Sequence, residues 1–268
     1  MVTVNDVSRA VEQLGIAAGD IVLVHSSLRS LGPLENGPDT VIDGFEQVLG
    51  QEGTLVMPTL CQKDFFRSYQ TWHMDKPSDV GYLTEYFRKL PGVLRSDQAT
   101  HSVAARGKYA HELTFEHTAY GPHLCPFGET AFMDSSPWLK MLSMGTKTVF
   151  IGVSTRYNTM KHTVEARYAE YMLSQVRDET VRAELRSQVA TFGHFSGVEI
   201  WPMYDGLKMH AQYERLGLIR HARCGNAELL CIDMHQTCEA SFRLLCENPE
   251  DWCNEATLQW LQRCREHF

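Results

Sequence analysis

Three residues near the middle of the chain, Thr159, His162 and Glu165, have types and spacing suited to proton-transfer chemistry. They form the string T-x-x-H-x-x-E. On a helix, positions three apart share a face, so the imidazole and the carboxylate would project together. Asn158 or Thr159 is suited to cap such a helix, which would then begin near Met160. The amide groups at a helix N-terminus disfavour imidazolium and so help keep a histidine neutral near pH 7. A neutral histidine can act as a base. The carboxylate has two candidate roles, to orient that histidine or to hold a cationic substrate amine. Taken alone, the string is far more often a capped surface helix, so its weight depends on where the fold places it.

The elements around it supply that placement. Lys147 to Val153 reads as a buried strand that runs through Ser154 to Asn158 into the helix. In open α/β sheets ligands collect at the carboxyl edge of the strands, which is where this connection falls. An earlier unit has the same form. Residues 3 to 15 carry Val7, Val11 and Leu14 at helical spacing, and Gly19-Asp20 leads into the apolar run Ile21 to Val24. That run opens into a polar loop, and the successive amides and small hydroxyl side chains of Ser26 to Gly32 suit a phosphate or pyrophosphate. A helix from Pro38 to Gly50 and a strand from Gly53 to Pro58 follow. Cys61 to Asp79 lacks a period, and Tyr82 to Leu90 reads as a helix. His101 to Gly107 is a run of small residues over which a ligand can lie close to the backbone. Further helices are expected near 109 to 117 and 135 to 143, with loops at Gly121 to Gly128 and Gly193 to Gly197. The C-terminal third reads as a charged helix past 178, a helix over about 206 to 216, a strand at Glu228 to Met234 and two closing helices. The alternation of strand and helix predicts an α/β sheet, and the absence of a Pro/Ser-rich linker predicts a single domain over 1–268.

Composition removes several classes. The 268 residues carry a formal net charge of −8 without a Lys/Arg cluster, which argues against a nucleic-acid partner. No apolar run is long enough to cross a bilayer, and the polar N-terminus does not read as a signal peptide. The expectation is a cytoplasmic protein. No C-x-x-C pair occurs among the cysteines, and Cys224, Cys231, Cys238, Cys246, Cys253 and Cys264 read as small hydrophobes. His117, His123 and Cys125 match no compact zinc template, so no metal is expected. Motifs of zinc proteases, α/β-hydrolases, P-loop proteins and dinucleotide-binding folds are absent from the sequence. Asp64, Asp75, Glu129 and Asp134 are candidate carboxylates for a cationic ligand.

Five segments together resemble the aminoglycoside 3-N-acetyltransferases, a family distinct from the common GNAT acetyltransferases. They are VHSSLRSLG (24–32), GTLVMPT (53–59), RSDQATHSVAARG (95–107), CPFGETAFM (125–133) and FIGVSTRYNTMKHTVEARY (150–168). The resemblance implies a three-layer α/β/α arrangement around a mixed central sheet, with a C-terminal subregion packed on it. It implies acetyl-CoA as co-substrate and a small-molecule cationic amine as acceptor, in the best-known cases the 3-amino group of a 2-deoxystreptamine ring. His162 is then the general base, with Glu165 supporting it or the substrate ammonium and Thr159 serving as helix cap or as donor to the intermediate. The implied CoA contacts are Ser26, Ser27, Leu28, Arg29 and Ser30, then Thr59 and Arg95, then Ser102, Val103 and Ala104. A homodimer is compatible with the sequence. Two alternatives use the same residues: acetylation of another small-molecule amine in biosynthesis, and CoA binding without turnover.

Overall fold

A computed structural model of the chain describes residues 1–63, 68–117, 131–132, 134–189 and 200–268. Among these, seven strands form one sheet: β1 (Ile21–Ser26), β2 (Thr54–Pro58), β3 (Leu94–Arg95), β4 (Val103–Gly107), β5 (Lys147–Ile151), β6 (Ile219–Cys224) and β7 (Ala227–Asp233). Their order is β3-β4-β2-β1-β5-β7-β6. The centre is parallel, with Leu23 of β1 opposite Val56 of β2 and Thr148 of β5. The flanking pairs are antiparallel, which makes the sheet mixed.

The central strands are apolar on both faces, as expected where helices cover both sides. Alternate residues go to opposite cores. Val22, Val24, Leu55 and Val149 pack with Val7 and Val11 of α1 (Val4–Gln13) and Phe45 and Leu49 of α2 (Pro38–Leu49). Leu23, Val56 and Phe150 face the other layer. Short helices α3 (Ser68–Thr71), α4 (Tyr82–Phe87), α5 (Ala110–Thr114) and α6 (Pro137–Ser143) precede that layer, which is built mainly by α7 (Lys161–Gln175) and α8 (Glu179–Val189). Helices α9 (Gly206–Arg215), α10 (Met234–Glu247), α11 (Pro249–Trp252) and α12 (Glu255–Arg265) complete it. Helix α1 starts where Thr3 and Asp6 form a reciprocal capping box.

The structure amends the sequence expectations at three points. The C-terminal region packs on β7 through α10 and on α7 through α10 and α12, and it also contributes β6 and β7 to the sheet. Strand β6 was not anticipated, because the adjacent polar residues Arg220 and His221 break the period-two pattern. Helix α7 begins at Lys161, with Met160 in the N-cap position, so neither Asn158 nor Thr159 is the cap. The expected loops at Gly121 to Gly128 and Gly193 to Gly197 lie outside the described residues, as do Asp64, His123, Cys125 and Glu129. Cys224, Cys231, Cys238, Cys253 and Cys264 are buried and unbridged, while Cys246 is exposed. Burial pushes the Cys238 thiol up to about 12, which disqualifies it as a thiolate nucleophile. No helix among the described residues is long and apolar enough to cross a membrane.

Candidate active site

The carboxyl ends of β1, β2 and β5 open into a cleft of about 870 Å³. β1 contributes His25 and Ser26, followed by Ser27; Pro58 and Leu60 come from the end of β2. The connection from β5 to α7 contributes Arg156 through Thr159, then Lys161 and His162, and Trp201 and Pro202 close one side. The cleft therefore sits where an open α/β sheet presents ligand groups.

The β5–α7 connection is shaped by its own hydrogen bonds. A 3-10 turn covers Thr155–Tyr157, and Asn158 Oδ1 accepts from the Met160 N–H at 3.1 Å. The carbonyls of Asn158 and Thr159 accept from the N–H groups of Lys161 and His162 at 3.2 and 3.1 Å. Thr159 thus closes the first turn with its carbonyl, and its buried side chain lies in the cleft wall.

His162 and Glu165 meet as the three-residue spacing predicts. His162 Nδ1 lies 2.7 Å from Glu165 Oε2, with the imidazole 18% exposed and the carboxylate 0%. Glu165 Oε1 accepts from the Met203 N–H at 2.9 Å and lies 3.8 Å from Lys161 Nζ. A carboxylate only accepts hydrogen bonds, so this network assigns the proton to Nδ1 and the lone pair to Nε2. The ring is flanked by His101, edge-on with centroids 5.9 Å apart, and by Phe132 at 6.0 Å. Burial, followed by the neighbouring His162 and His117, holds His101 well below the usual histidine range. Burial alone lowers His25 to about 4, where it stacks on Phe150 at 5.3 Å. Both are neutral near pH 7.

The expected CoA contacts divide into three groups. Ser26 and Ser27 line the cleft. Leu28, Arg29 and Ser30 fall in a 3-10 turn, Leu28–Leu31, outside the cleft lining. There Leu28 packs on the core, Arg29 is exposed, and Ser30 Oγ donates to the Ser27 carbonyl at 2.6 Å. Gly152, with φ of 61°, lets β5 pass under this turn, since a Cβ there would come within 1.9 Å of Ser30 Oγ. Thr59, Arg95, Ser102, Val103 and Ala104 form a joint between β2 and β4 and do not line the cleft. Ser102 Oγ donates to the Thr59 carbonyl at 2.9 Å. Arg95 donates to the carbonyls of Thr59 and Met74, each at 2.8 Å, and stacks over Trp72. Val103 and Ala104 are wholly buried.

Among the cleft residues not singled out in the sequence are His25, Lys161 and Trp201. His25 directly precedes the serines at the end of β1, and Lys161 stands four residues before Glu165, a spacing that pairs charges on a helix. Trp201 has no comparable local signal. Asp75 and Asp134 are exposed and lie outside the cleft lining.

A mixed α/β sheet with a hydrogen-bonded His-Glu pair in the cleft at the carboxyl ends of its parallel strands has the geometry to exchange a proton with a bound ligand. The family model described as aminoglycoside 3-N-acetyltransferase matches residues 23–245, and the chain belongs to that family. It is 28% identical to aminoglycoside N(3)-acetyltransferase VII of Streptomyces paromomycinus, over 62% of this chain and 60% of that protein. It is 31% identical to the type IV enzyme of a Salmonella species, over 57% and 54%, and 25% identical to a type III enzyme of Salmonella, over 87% of each. The matches to the first two therefore span little more than half of those proteins. Among solved structures, AAC-IIIb in a binary complex with CoASH superposes with a TM-score of 0.68 at 19% identity, covering 91% of this chain and 96% of that one. The apoenzyme of AAC(3)-IVa gives 0.65 at 20% identity, covering 98% and 96%. These structures share its fold.

Proposed function

We propose that the protein transfers the acetyl group of acetyl-CoA to an amine of an aminoglycoside, the 3-amino group of the 2-deoxystreptamine ring. The observation that carries this reading is the 2.7 Å contact between His162 Nδ1 and the buried Glu165, in a cleft large enough for two small ligands. Family membership and the names of the relatives above support the acceptor. A fold relative determined with CoASH and another with sisomicin support the two ligand classes. One domain over 1–268, in the cytoplasm, belongs to the same reading, since a single sheet draws strands from residues 21 to 233.

The chemistry follows from the tautomer. An aminoglycoside amine is largely protonated near pH 7, so it must lose a proton to become nucleophilic. One proton is lost to solvent to give the neutral amine, and His162 Nε2 accepts a second from the nitrogen as it attacks the thioester carbonyl, so that the product leaves as a neutral amide. The tetrahedral intermediate carries an oxyanion, for which Ser26, Ser27 and Thr159 are the hydroxyl donors in the cleft wall. The Ser27 N–H is engaged by the Ile151 carbonyl at 2.8 Å, so its hydroxyl, and not its amide, is available. Collapse expels the CoA sulfur, which takes up the proton from His162. Glu165 has protein partners on both oxygens and no exposure, which favours its role in orienting His162 over contact with the substrate ammonium. Of the CoA contacts, Ser26 and Ser27 would touch the ligand, and Leu28 to Ser30 would act by shaping their turn.

Incubation with acetyl-CoA and a panel of deoxystreptamine aminoglycosides tests the reading. The expected result is release of CoA thiol with an acceptor mass gain of one acetyl group, placed on the 3-amino nitrogen by NMR. Thiol release that never exceeds the no-acceptor background refutes it, and tight CoA binding in the same sample would favour a non-catalytic binder.

A further inference from the structure

The helix that carries the His-Glu pair also carries a cation that the transfer step does not use. Lys161, one residue before His162, runs along the cleft wall with its side chain 14% exposed. Its ammonium lies 3.8 Å from Glu165 Oε1 and 5.3 Å from the centre of the Tyr204 ring. Glu165 therefore has His162 on one oxygen, and Lys161 with the Met203 N–H on the other. Among the described residues, Lys161 and His162 are its ion-pair partners.

A buried carboxylate hydrogen-bonded to an imidazole brings a liability to base catalysis. It stabilises the imidazolium form, which has no lone pair for the proton of the amine. It also needs a counter-charge of its own, because an unmatched anion out of contact with water is strongly destabilised. Lys161 addresses both. With the ammonium in place the carboxylate is already matched, and protonating His162 would set two cations around one buried anion.

We propose that Lys161 is a positioning residue of the acetyl transfer: by sharing the charge of Glu165, it keeps His162 in the neutral, proton-accepting form. This rests on the reading of His162 as the base. The other titratable groups facing the pair leave the task to Lys161. His101, in the turn before β4, and His25, on β1, are uncharged because of their burial. Tyr204, from the segment before α9, is held as a neutral phenol by its burial, and burial followed by the charge of Glu165 pushes the Cys253 thiol, just before α12, up to about 12. Arg156 lies exposed in the cleft lining and has no ion-pair contact with Glu165.

The test compares Lys161→Met and Lys161→Arg with the parent. In the Met variant the acid limb of kcat/KM should move up by about one pH unit, and the Arg variant should restore it. The deficit of the Met variant should be largest at low pH and narrow as pH rises. A parallel NMR titration of the His162 imidazole in the substrate-free protein should move in the same direction. Lys161→Gln carries the same expectation if the Met variant folds poorly. A uniform loss at every pH with an unmoved limb, or an NMR midpoint unchanged in a folded neutral variant, overturns the proposal. Failure to acetylate any amine would overturn the transferase reading, while the NMR titration would still decide the effect of Lys161 on His162.

Discussion

Glu165→Gln isolates the charge and hydrogen-bond polarity of the carboxylate at almost constant volume. In the parent, Oε1 faces two donors, the Met203 N–H at 2.9 Å and the Lys161 ammonium at 3.8 Å, while Oε2 faces His162 Nδ1. The new amide has one oxygen, and the two donors hold it on the Met203 side. Its NH2 group then points at His162 and requires an acceptor, so the imidazole must carry its proton on Nε2. That atom would no longer be a base. The loss should equal the general-base contribution, about 10²- to 10⁴-fold in kcat, or about 3 to 5 kcal/mol of barrier. KM for the amine should change by less than about threefold, because Glu165 is sealed from the cleft. Thiol release under saturating acetyl-CoA gives both constants. A kcat within about threefold of the parent refutes the tautomer argument, and a raised amine KM at unchanged kcat would make Glu165 the ammonium contact.

His162→Ala should lower kcat by about two to four orders of magnitude while leaving CoA affinity intact by calorimetry; near-normal turnover removes His162 from the reaction. Arg95→Met should cost about 2 kcal/mol of stability by stranding the carbonyls it holds, with KM for acetyl-CoA changed by less than about threefold. A tenfold or so rise in that KM at unchanged stability would return Arg95 to a ligand role. His25 is held at about 4 in the fold against 6.5 ordinarily, so between those values the unfolded chain binds a proton that the fold refuses. Its contribution is complete above pH 6.5 and lost as pH falls toward 4, amounting to about 3 kcal/mol over that window. Urea midpoints should drop accordingly in the parent and less in His25→Gln, and parallel drops in the two proteins refute the assignment.

The core elements were legible because burial leaves a strong pattern. β1, β2 and β5 are short apolar runs between turn signals, and α1, α2, α10 and α12 repeat their apolar residues at helical spacing. Strand β6 escaped notice because it lies at the edge of the sheet. Ala222 and Cys224 pack in the core that holds α1 and Ile219 in the opposite one, while Arg220 reaches the Leu14 carbonyl and His221 pairs with Glu214 and Glu228. Such pairings depend on neighbours distant in the chain and give no local period. The start of α7 was misplaced for a related reason: Asn158 and Thr159 do bond the following amides, but they do so in a turn that precedes the helix.

The site was legible where its geometry is local. A three-residue spacing on a helix fixes the His162–Glu165 contact, and the apolar run before it fixes the edge of the sheet at which it emerges. The small polar residues of β2 and β4 were harder, because Thr59, Ser102 and Arg95 have the same types whether they bind a ligand or brace a strand joint. Only the direction of their hydrogen bonds separates the two, and here they run into the fold. Lys161 illustrates the converse. In the sequence it is one more charged residue in a helix, whose four-residue spacing to Glu165 would ordinarily mean a weak surface pair. The burial of Glu165 changes its meaning, because a carboxylate removed from water needs a cation, and His162 can only serve as that cation by ceasing to be a base. On the proposed reading, the ammonium that matches the buried carboxylate is what leaves His162 to take the proton from the amine.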